Sequence, residues 1–332
     1  MIKNKLISLA LGCTAFVLAA IFTFAAGEVV TRLYYSFRKN YDIEMWRYAA
    51  QGKVKSRLPG LSHEHRKGAY FKDLYGTEVK INSKGLRDYE YDYLKPKHCY
   101  RVLVLGDSIT FGWGVDFSQT YPKLLEKKLN ERSPGQKFEV INSGVGNYNL
   151  RDELSYLEYE GLKYSPDLII LGFFLNDAER HDKQPPNFLA RHSCFYTFLW
   201  SHWNAFVLRM NFNKGYRKYY SELYKDGSSA REEFDSAAQE LIEISNKNNI
   251  PVLVLMIPDL HSIRDYPFDQ VNAHIKKIFL KAANIRVVEA LPYFDSALDP
   301  LDYWVSKEDP HPNARGHKAL ADCLYDTLIK IL

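Results

Sequence analysis

The sequence predicts an α/β fold in which helices cover both faces of a parallel β-sheet. Short apolar runs alternate with helical patterns along most of the 332 residues, as expected when parallel strands are joined by helical crossovers. Runs without polar alternation are typical of strands that are buried on both faces. The hydrophobic content of 46% suits one such domain with appendages. The net charge of +4 comes without a basic stripe, so we expect no nucleic-acid partner.

Each element of the sheet and its covering helices is predicted by a local pattern. The five predicted strands are Val102–Leu105, Phe138–Ile141, Leu168–Leu171, Val252–Met256 and a short strand near Arg286–Val288. The predicted helices are Tyr121–Glu131 with Pro122 in its first turn, Leu150–Lys163, a helix that starts at the capping box Ser229-Ala-Arg-Glu232, and a C-terminal helix with Leu320, Leu324, Leu328 and Ile331 on one face. Earlier in the chain, the alternation in Thr77–Gly85 predicts a strand that ends in a turn.

The N-terminus predicts a membrane anchor. Leu6–Ala26 is an uncharged span of 21 residues, preceded by Lys3 and Lys5, and it is long enough to cross a bilayer as a helix. A signal peptide usually has a shorter apolar region, so we favour an uncleaved anchor with an exported catalytic domain. A cleaved signal and a lipoprotein modified at Cys13 remain alternatives.

Three segments place polar side chains at the ends of predicted elements. The run RVLVLGDSITFGWG brings Ser108 to the carboxyl end of the first strand, where ligands bind in open α/β sheets. Asn176 and Asp177 follow the third strand, and His311 precedes the last helix, which we expect Asn313 to cap. A serine needs a base and oxyanion donors to act as a nucleophile, and these segments contain candidates for both.

The motifs around these residues resemble the conserved blocks of the SGNH, or GDSL, hydrolases. In chain order they are GDSITFG around Ser108, NSGVGN at residues 142–147, GFFLND at residues 172–177 and DPHPN at residues 309–313. The resemblance extends over Tyr100–Leu332, and the serine and histidine blocks together are fairly specific. It implies a three-layer α/β/α sandwich whose five-stranded parallel sheet has the flavodoxin-like strand order.

The resemblance also implies a catalytic triad. Ser108 matches the nucleophile and His311 matches the base, which takes the serine proton and later returns it to the leaving group. Many family members carry the acid three residues before the histidine, where this chain has Glu308. We assign the acid to Asp309, two residues before the histidine, and keep Glu308 as the alternative. Asp107 is expected to tie the serine loop through hydrogen bonds instead.

The family's oxyanion hole matches this chain at Ser108, Asn147 and Asn176. In the family the donors are the serine N–H, a glycine N–H and an asparagine side chain. The alignment places Asn147 where that glycine usually stands, and Gly146 is one residue earlier. Asparagine tolerates positive φ better than most residues, so the backbone donor can survive the replacement. Gly146 remains the alternative donor.

The predicted domain organisation has three parts. Residues 1–27 are the anchor, residues 28–98 are a small extension packed on the main domain, and residues 99–332 are the SGNH hydrolase domain. An aromatic-rich insertion lies at residues 180–227. We favour a structural role for its aromatic side chains in the core. A cap over the serine and a surface that rests on the membrane are the alternatives.

The predicted function is hydrolysis of carboxylic esters through an acyl-serine intermediate. No cofactor or metal ion is expected, and His317 is not expected to form a metal site with His311 because it lies in the final helix without further ligands. The expected partners are an ester-bearing small molecule or an acylated glycan, and the membrane through the N-terminal helix. The alternatives are an O-acyltransferase that acts on a sugar hydroxyl and a catalytically silent glycan-binding or scaffold protein.

Overall fold

A computed structural model describes residues 2–133, 135–180, 188–211 and 215–332 of the chain, with the backbone alone for residues 2–6, 8, 190, 191 and 204–211. The strands are β1 (Lys53–Lys55), β2 (His63–His65), β3 (Tyr70–Leu74), β4 (Thr77–Lys80), β5 (Cys99–Leu105), β6 (Lys137–Asn142), β7 (Leu168–Phe173), β8 (Val252–Met256), β9 (Ile285–Glu289), β10 (Trp304–Ser306) and β11 (Asp309–Pro312).

The α-helices flank these strands along the chain. They are α1 (Ile2–Phe37), α2 (Tyr41–Arg47), α3 (Ser108–Phe111), α4 (Tyr121–Arg132), α5 (Leu150–Tyr159), α6 (Phe188–His192), α7 (Cys194–Asn211), α8 (Gly215–Leu223), α9 (Ser229–Asn248), α10 (Asp269–Phe279) and α11 (Ala314–Leu328). The described residues form two compact units, one within residues 1–50 and 185–213 and the other within residues 51–184 and 214–332.

The larger unit is built on a sheet of five parallel strands in the order β6-β5-β7-β8-β9. Alternate residues of one strand enter two separate cores. Leu103 and Leu105 of β5 pack with side chains of α5, α9 and α10, whereas Val102 and Val104 pack with side chains of α4 and α11. The sheet is therefore the middle layer of an α/β/α sandwich with flavodoxin-like strand order, and the predicted fold class is confirmed.

Several predicted helix boundaries differ from the observed ones. Helix α4 extends one residue beyond the predicted Glu131, and α11 ends at Leu328, before Ile331. The N-cap of α9 is Ser228, whose hydroxyl accepts a hydrogen bond from the Arg231 N–H, one residue earlier than the predicted capping box. An N-cap side chain accepts a hydrogen bond from the N–H of the second or third helical residue, and Arg231 is the third helical residue after Ser228. Helix α5 ends at Tyr159, short of the predicted Lys163, because the chain tightens there into a 3₁₀ turn.

The smaller unit contains the long N-terminal helix. Helix α1 includes a stretch, Leu9–Phe37, that is long and apolar enough to cross a membrane, and both a membrane anchor and a signal sequence have these properties. Within the same unit the Glu28 carboxylate accepts hydrogen bonds from the backbone N–H groups of Cys194 and Phe195. Glu28 therefore caps the N-terminus of α7 from a distant part of the chain.

The aromatic insertion is divided between the two units, and its residues 181–187 and 212–214 lie outside the described part of the chain. In α7, Trp200 and Trp203 are exposed. In the larger unit, the ring centroids of Tyr220 and Phe174 are 6.4 Å apart. Tyr224 is buried in the core that also contains Leu103 and Leu105. The core role favoured for these aromatic side chains therefore describes Tyr224 but not the two tryptophans.

Candidate active site

The serine lies where the first strand of the central sheet ends. Strand β5 stops at Leu105, and Gly106 turns the chain with φ of 157°. A Cβ atom at Gly106 would lie 1.9 Å from Thr110 Oγ1, so the turn requires glycine. The Asp107 carboxylate then accepts a hydrogen bond from the Ile109 N–H and caps the four-residue helix α3. Ser108 is the first residue of that helix and is only 7% exposed.

A hairpin near the C-terminus brings the histidine to this serine. Strands β10 and β11 pair antiparallel, and His311 lies on β11 rather than on the predicted loop. Its Nε2 is 2.8 Å from Ser108 Oγ, and its Nδ1 is 2.5 Å from Asp309 Oδ1. Because a carboxylate only accepts hydrogen bonds, Nδ1 carries the proton in this pair. The Nε2 lone pair of the neutral ring therefore faces the serine hydroxyl.

Asn313 holds the histidine hairpin against the final helix. Its Oδ1 accepts the backbone N–H groups of Arg315 and Gly316, which makes it the N-cap of α11, as predicted. Its Nδ2 donates to the backbone carbonyls of Asp302 and Trp304 at 2.9 and 3.0 Å. One side chain thus joins the start of α11 to the strand that pairs with β11.

Asp309 is fully buried, and three donors surround its carboxylate. Oδ1 accepts from the backbone N–H of His311 at 3.0 Å as well as from the ring Nδ1. Oδ2 accepts from the indole N–H of Trp113 at 2.8 Å. These three donors replace hydrogen bonds to water that the Asp309 carboxylate loses on burial. Glu308, the alternative acid, is exposed.

On the other side of the serine, Asn176 is tied to the serine loop. Its Nδ2 donates to Asp107 Oδ2 at 2.8 Å, next to the residue predicted as the nucleophile. Burial raises the pKa of Asp107, and the bonds from Ile109 and Asn176 counteract that rise. Asp107 therefore ties the serine loop together and joins it to Asn176 through hydrogen bonds. The Asn176 side chain keeps its second N–H hydrogen for another acceptor.

The turn after β6 carries the third predicted oxyanion donor. Asn147 has φ of 65°, the left-handed conformation that its predicted role requires. Its Oδ1 accepts a hydrogen bond from Lys53 Nζ at 3.0 Å. The turn is joined to the serine loop through the Val145 N–H, which donates to the Gly106 carbonyl at 3.2 Å. The structure therefore places both Asn147 and Asn176 on segments bonded to the serine turn.

Two further carboxyl groups are buried behind this loop. Glu153 on α5 is 1% exposed, and within the described part of the chain neither of its carboxyl oxygens has a hydrogen-bond partner. Burial raises its pKa well above the ordinary range, and the nearby charges of Asp177 and Asp107 raise it further. The pKa of Asp177 is raised as well, again chiefly by burial. Burial without hydrogen-bond donors therefore favours the protonated form of the Glu153 carboxyl.

The metal-binding alternative for His317 is not supported by its surroundings. The ring is fully buried, and its Nδ1 accepts the backbone N–H of Tyr121 at 3.1 Å. Burial lowers the pKa of His317 to about 3, so the ring is neutral. Across the described ranges, no group of three or more His, Cys, Asp or Glu side chains is arranged to hold a metal ion.

Three residues that contact this site, Trp113, Lys53 and His63, were not predicted from the sequence. Trp113 lies within the serine motif, and its indole bonds the predicted acid across 196 positions of the chain. Lys53 and His63 lie in the extension, and both bond the Gly146 carbonyl, at 2.5 and 3.0 Å. No local pattern marks such long-range contacts. The position of Trp113 five residues after the serine was the one available signal.

The GDSL-like lipase/acylhydrolase family matches residues 104–319. An arylesterase of Vibrio mimicus is 28% identical over 128 residues, which are 38% of this chain and 62% of the relative. The chain spans less than two thirds of the length of the curated relatives it matches.

Solved structures give further likenesses, all at low sequence identity. A two-domain esterase active on acetylated mannans has a TM-score of 0.46 and 16% identity, with 70% of this chain and 50% of that chain covered. An acetylxylan esterase from Geobacillus stearothermophilus has a TM-score of 0.46 and 16% identity, with 68% and 93% covered. Since the family match spans well over half of the 332 residues, the chain belongs to the GDSL-like lipase/acylhydrolase family.

Proposed function

We propose that this protein is a serine esterase that hydrolyses carboxylic esters through an acyl-serine intermediate. The observation that carries the proposal is the contact of 2.8 Å between Ser108 Oγ and His311 Nε2, with Asp309 on the opposite ring nitrogen. A hydroxyl, a neutral imidazole and a buried carboxylate in this order form a serine triad. Family membership supports the same reaction class.

In the first step Ser108 Oγ attacks the ester carbonyl carbon while His311 Nε2 takes the hydroxyl proton. The imidazolium that forms is stabilised by Asp309, whose carboxylate accepts the Nδ1–H bond throughout. The tetrahedral intermediate then collapses and the C–O bond to the alcohol breaks. The imidazolium returns the proton to the leaving alcohol oxygen, and the acyl group stays on Ser108.

In the second step water replaces the alcohol. His311 Nε2 takes a proton from the water, whose oxygen attacks the acyl carbonyl, and the proton then returns to Ser108 as the carboxylic acid leaves. Both tetrahedral intermediates carry a negative oxygen. The proposed donors for it are the N–H groups of Ser108 and Asn147 and the free hydrogen of Asn176 Nδ2. Loss of one such donor typically lowers turnover by about a hundredfold to a thousandfold.

For the natural substrate we propose an O-acetylated glycan at the cell surface, with the catalytic domain outside the cytoplasm. This part rests on the family resemblance and on helix α1, whose apolar stretch has the length that a membrane anchor needs. In this proposal the chain has three parts, which are the membrane anchor at residues 1–27, the extension at residues 28–98 and the hydrolase domain at residues 99–332. An enzyme tethered in this way would reach polymers at the membrane surface.

The test is labelling with a fluorophosphonate probe, which reacts only with activated serine hydroxyls. We expect wild type and Ser118→Ala, a change at an exposed serine, to be labelled, and Ser108→Ala to remain unlabelled. Ser108→Ala and His311→Ala should each abolish hydrolysis of p-nitrophenyl acetate without unfolding the chain, as checked by circular dichroism. An unlabelled wild type would favour the silent glycan-binding protein.

Transfer is separated from hydrolysis by adding a sugar acceptor to the same assay. With an esterase, the amount of free acetate equals the amount of p-nitrophenol released, with or without the acceptor. Acetylated sugar formed at the expense of free acetate would identify the O-acyltransferase instead.

A further inference from the structure

The extension before the catalytic domain contacts the turn that carries Asn147. Strands β1 and β2 pair antiparallel, with Lys53 opposite His65 and Lys55 opposite His63. Lys53 Nζ donates to the Gly146 carbonyl at 2.5 Å and to Asn147 Oδ1 at 3.0 Å. Neither contact is required to build the central sheet, which lies elsewhere in the larger unit.

His63 bonds the same turn from the second strand. Its Nε2 is 3.0 Å from the Gly146 carbonyl, and because a carbonyl only accepts, Nε2 carries the proton. The Gly146 carbonyl therefore receives one donor from each strand. The Tyr148 hydroxyl in turn donates to the His63 carbonyl at 2.8 Å, and the two rings lie 5.1 Å apart. The segment with His63 and the turn with Gly146 and Tyr148 therefore each donate a hydrogen bond to a backbone carbonyl of the other.

The two strands are themselves fastened to the main domain at α5. The Ser62 N–H and hydroxyl donate to the two carboxylate oxygens of Asp152, at 2.7 and 2.9 Å. Asp152 is buried in the first turn of α5, so this anchor point is rigid. Because the strands that carry Lys53 and His63 are fixed to α5, their hydrogen bonds restrict the Gly146–Asn147 turn more than bonds from a mobile loop would.

We propose that Lys53 and His63 are positioning residues that complete the oxyanion site by holding the Gly146–Asn147 turn. The proposal rests on the oxyanion role given to Asn147 in the proposed function. It explains why asparagine works where the family has glycine, since Lys53 binds the extra side chain and keeps the residue in its left-handed conformation. The extension is therefore a part of the active site and not a separate appendage.

The first test compares Lys53→Met with Lys55→Met. Lys55 is exposed on the same strand, so its replacement is a matched control. For p-nitrophenyl acetate we expect Lys53→Met to lower kcat by about tenfold to a hundredfold with KM changed less than about threefold, because small displacements of a catalytic donor have effects of this size. Lys55→Met should match wild type in both constants.

Two readouts keep the test valid if Lys53→Met is unstable. Lys53→Arg retains a charged donor and should therefore have a kcat close to that of wild type. If Lys53 served in packing alone, Lys53→Met and Lys53→Arg variants of equal melting temperature would have equal kcat. Hydrogen exchange of the backbone at residues 145–148 should be faster in Lys53→Met than in Lys55→Met. This second readout does not depend on activity.

The pH profile gives a signature that a structural role would not. Burial lowers the pKa of Lys53 to about 7, and the opposing charge of Asp152 on α5 raises it. On β2, His65 lies close enough for its charge to interact with that of Lys53, and His63 bonds the same Gly146 carbonyl as Lys53. As pH rises through about 7 the Lys53 ammonium loses its charge, whereas the guanidinium of Lys53→Arg stays protonated. The pH dependence of the His311 base is common to both proteins, so the ratio of wild-type kcat to Lys53→Arg kcat should fall across this range.

The outcomes separate this inference from the proposed function. An active wild type with equal kcat and equal exchange rates in Lys53→Met and Lys55→Met would overturn the inference and leave the esterase intact. A wild type that neither hydrolyses esters nor reacts with the fluorophosphonate would overturn the proposed function, and the inference with it.

Discussion

Two buried carboxyl groups, Asp309 and Glu153, differ completely in the hydrogen-bond donors that surround them. Asp309 is fully buried, and its two oxygens receive three hydrogen bonds. Glu153 is 1% exposed, and its oxygens have no donor among the residues that the structure describes. A buried carboxylate is stable as an ion only where donors replace its lost water. Burial alone therefore does not identify a catalytic acid, whereas the set of donors does.

The largest effect on activity is expected when the carboxylate of Asp309 is replaced. We expect Asp309→Asn to lower kcat/KM for p-nitrophenyl acetate by about a thousandfold to ten-thousandfold, because an amide facing Nδ1 favours the wrong imidazole tautomer. Glu308→Gln, at the exposed neighbour, should change kcat/KM less than about twofold. A larger loss in Glu308→Gln than in Asp309→Asn would show that the acid is misassigned.

Removing one donor from Asp309 is a milder test. Trp113→Phe deletes the indole N–H on Oδ2 and keeps most of the ring, so we expect kcat to fall about tenfold, the scale of one hydrogen bond to a charged group. Trp304→Phe is the control, because the Trp304 indole bonds the Leu260 carbonyl and not the acid. Equal rates in the two variants would mean that Trp113 only fills space.

The smallest expected effect is on stability, at Glu153. Its pKa is raised in the folded protein by burial and by the charges of Asp177 and Asp107, so folding favours the protonated form. This contribution is fully present below the unfolded pKa of about 4.5 and is lost as pH rises towards the folded pKa. Glu153→Gln cannot ionise, so its advantage over wild type should grow with pH.

The measurement is the melting temperature of Glu153→Gln at pH 5 and pH 8. We expect Tm to match wild type at pH 5 and to exceed it by roughly 2–5 °C at pH 8. Glu158→Gln is the control, since Glu158 is exposed on the same helix. A Glu153→Gln variant that is less stable at both pH values would indicate that the carboxyl has a partner essential for folding.

The central sheet was largely predictable because each of its five strands carries its signal locally. All five predicted strands lie within β5 to β9, and Asn313 caps α11 as expected. The error at the start of α9 occurred where neighbouring residues compete. Ser228 and Ser229 can both cap a helix, and only the backbone geometry decides between them. Pattern alone cannot choose between two adjacent hydroxyls.

The site was predictable only in part, for a different physical reason. Ser108, Asp309 and His311 come together as the motifs suggested, and these assignments, like those of Asn147 and Asn176, stay predictions until variants are measured. The partners of these residues were not predictable. Trp113, Lys53 and His63 act through contacts that depend on how separate segments pack. Single positions without periodicity carry no signal of such contacts.

Asn313 has a consequence for the timing of the reaction. Because its amide bonds both the hairpin partner of β11 and the first turn of α11, the imidazole is already in place before any ester arrives. A preorganised base spends no reorganisation energy during turnover. If a slow conformational step limits the turnover rate, it should therefore arise in the segments that admit the substrate and release the acid. It should not arise in the β10–β11 hairpin that carries His311.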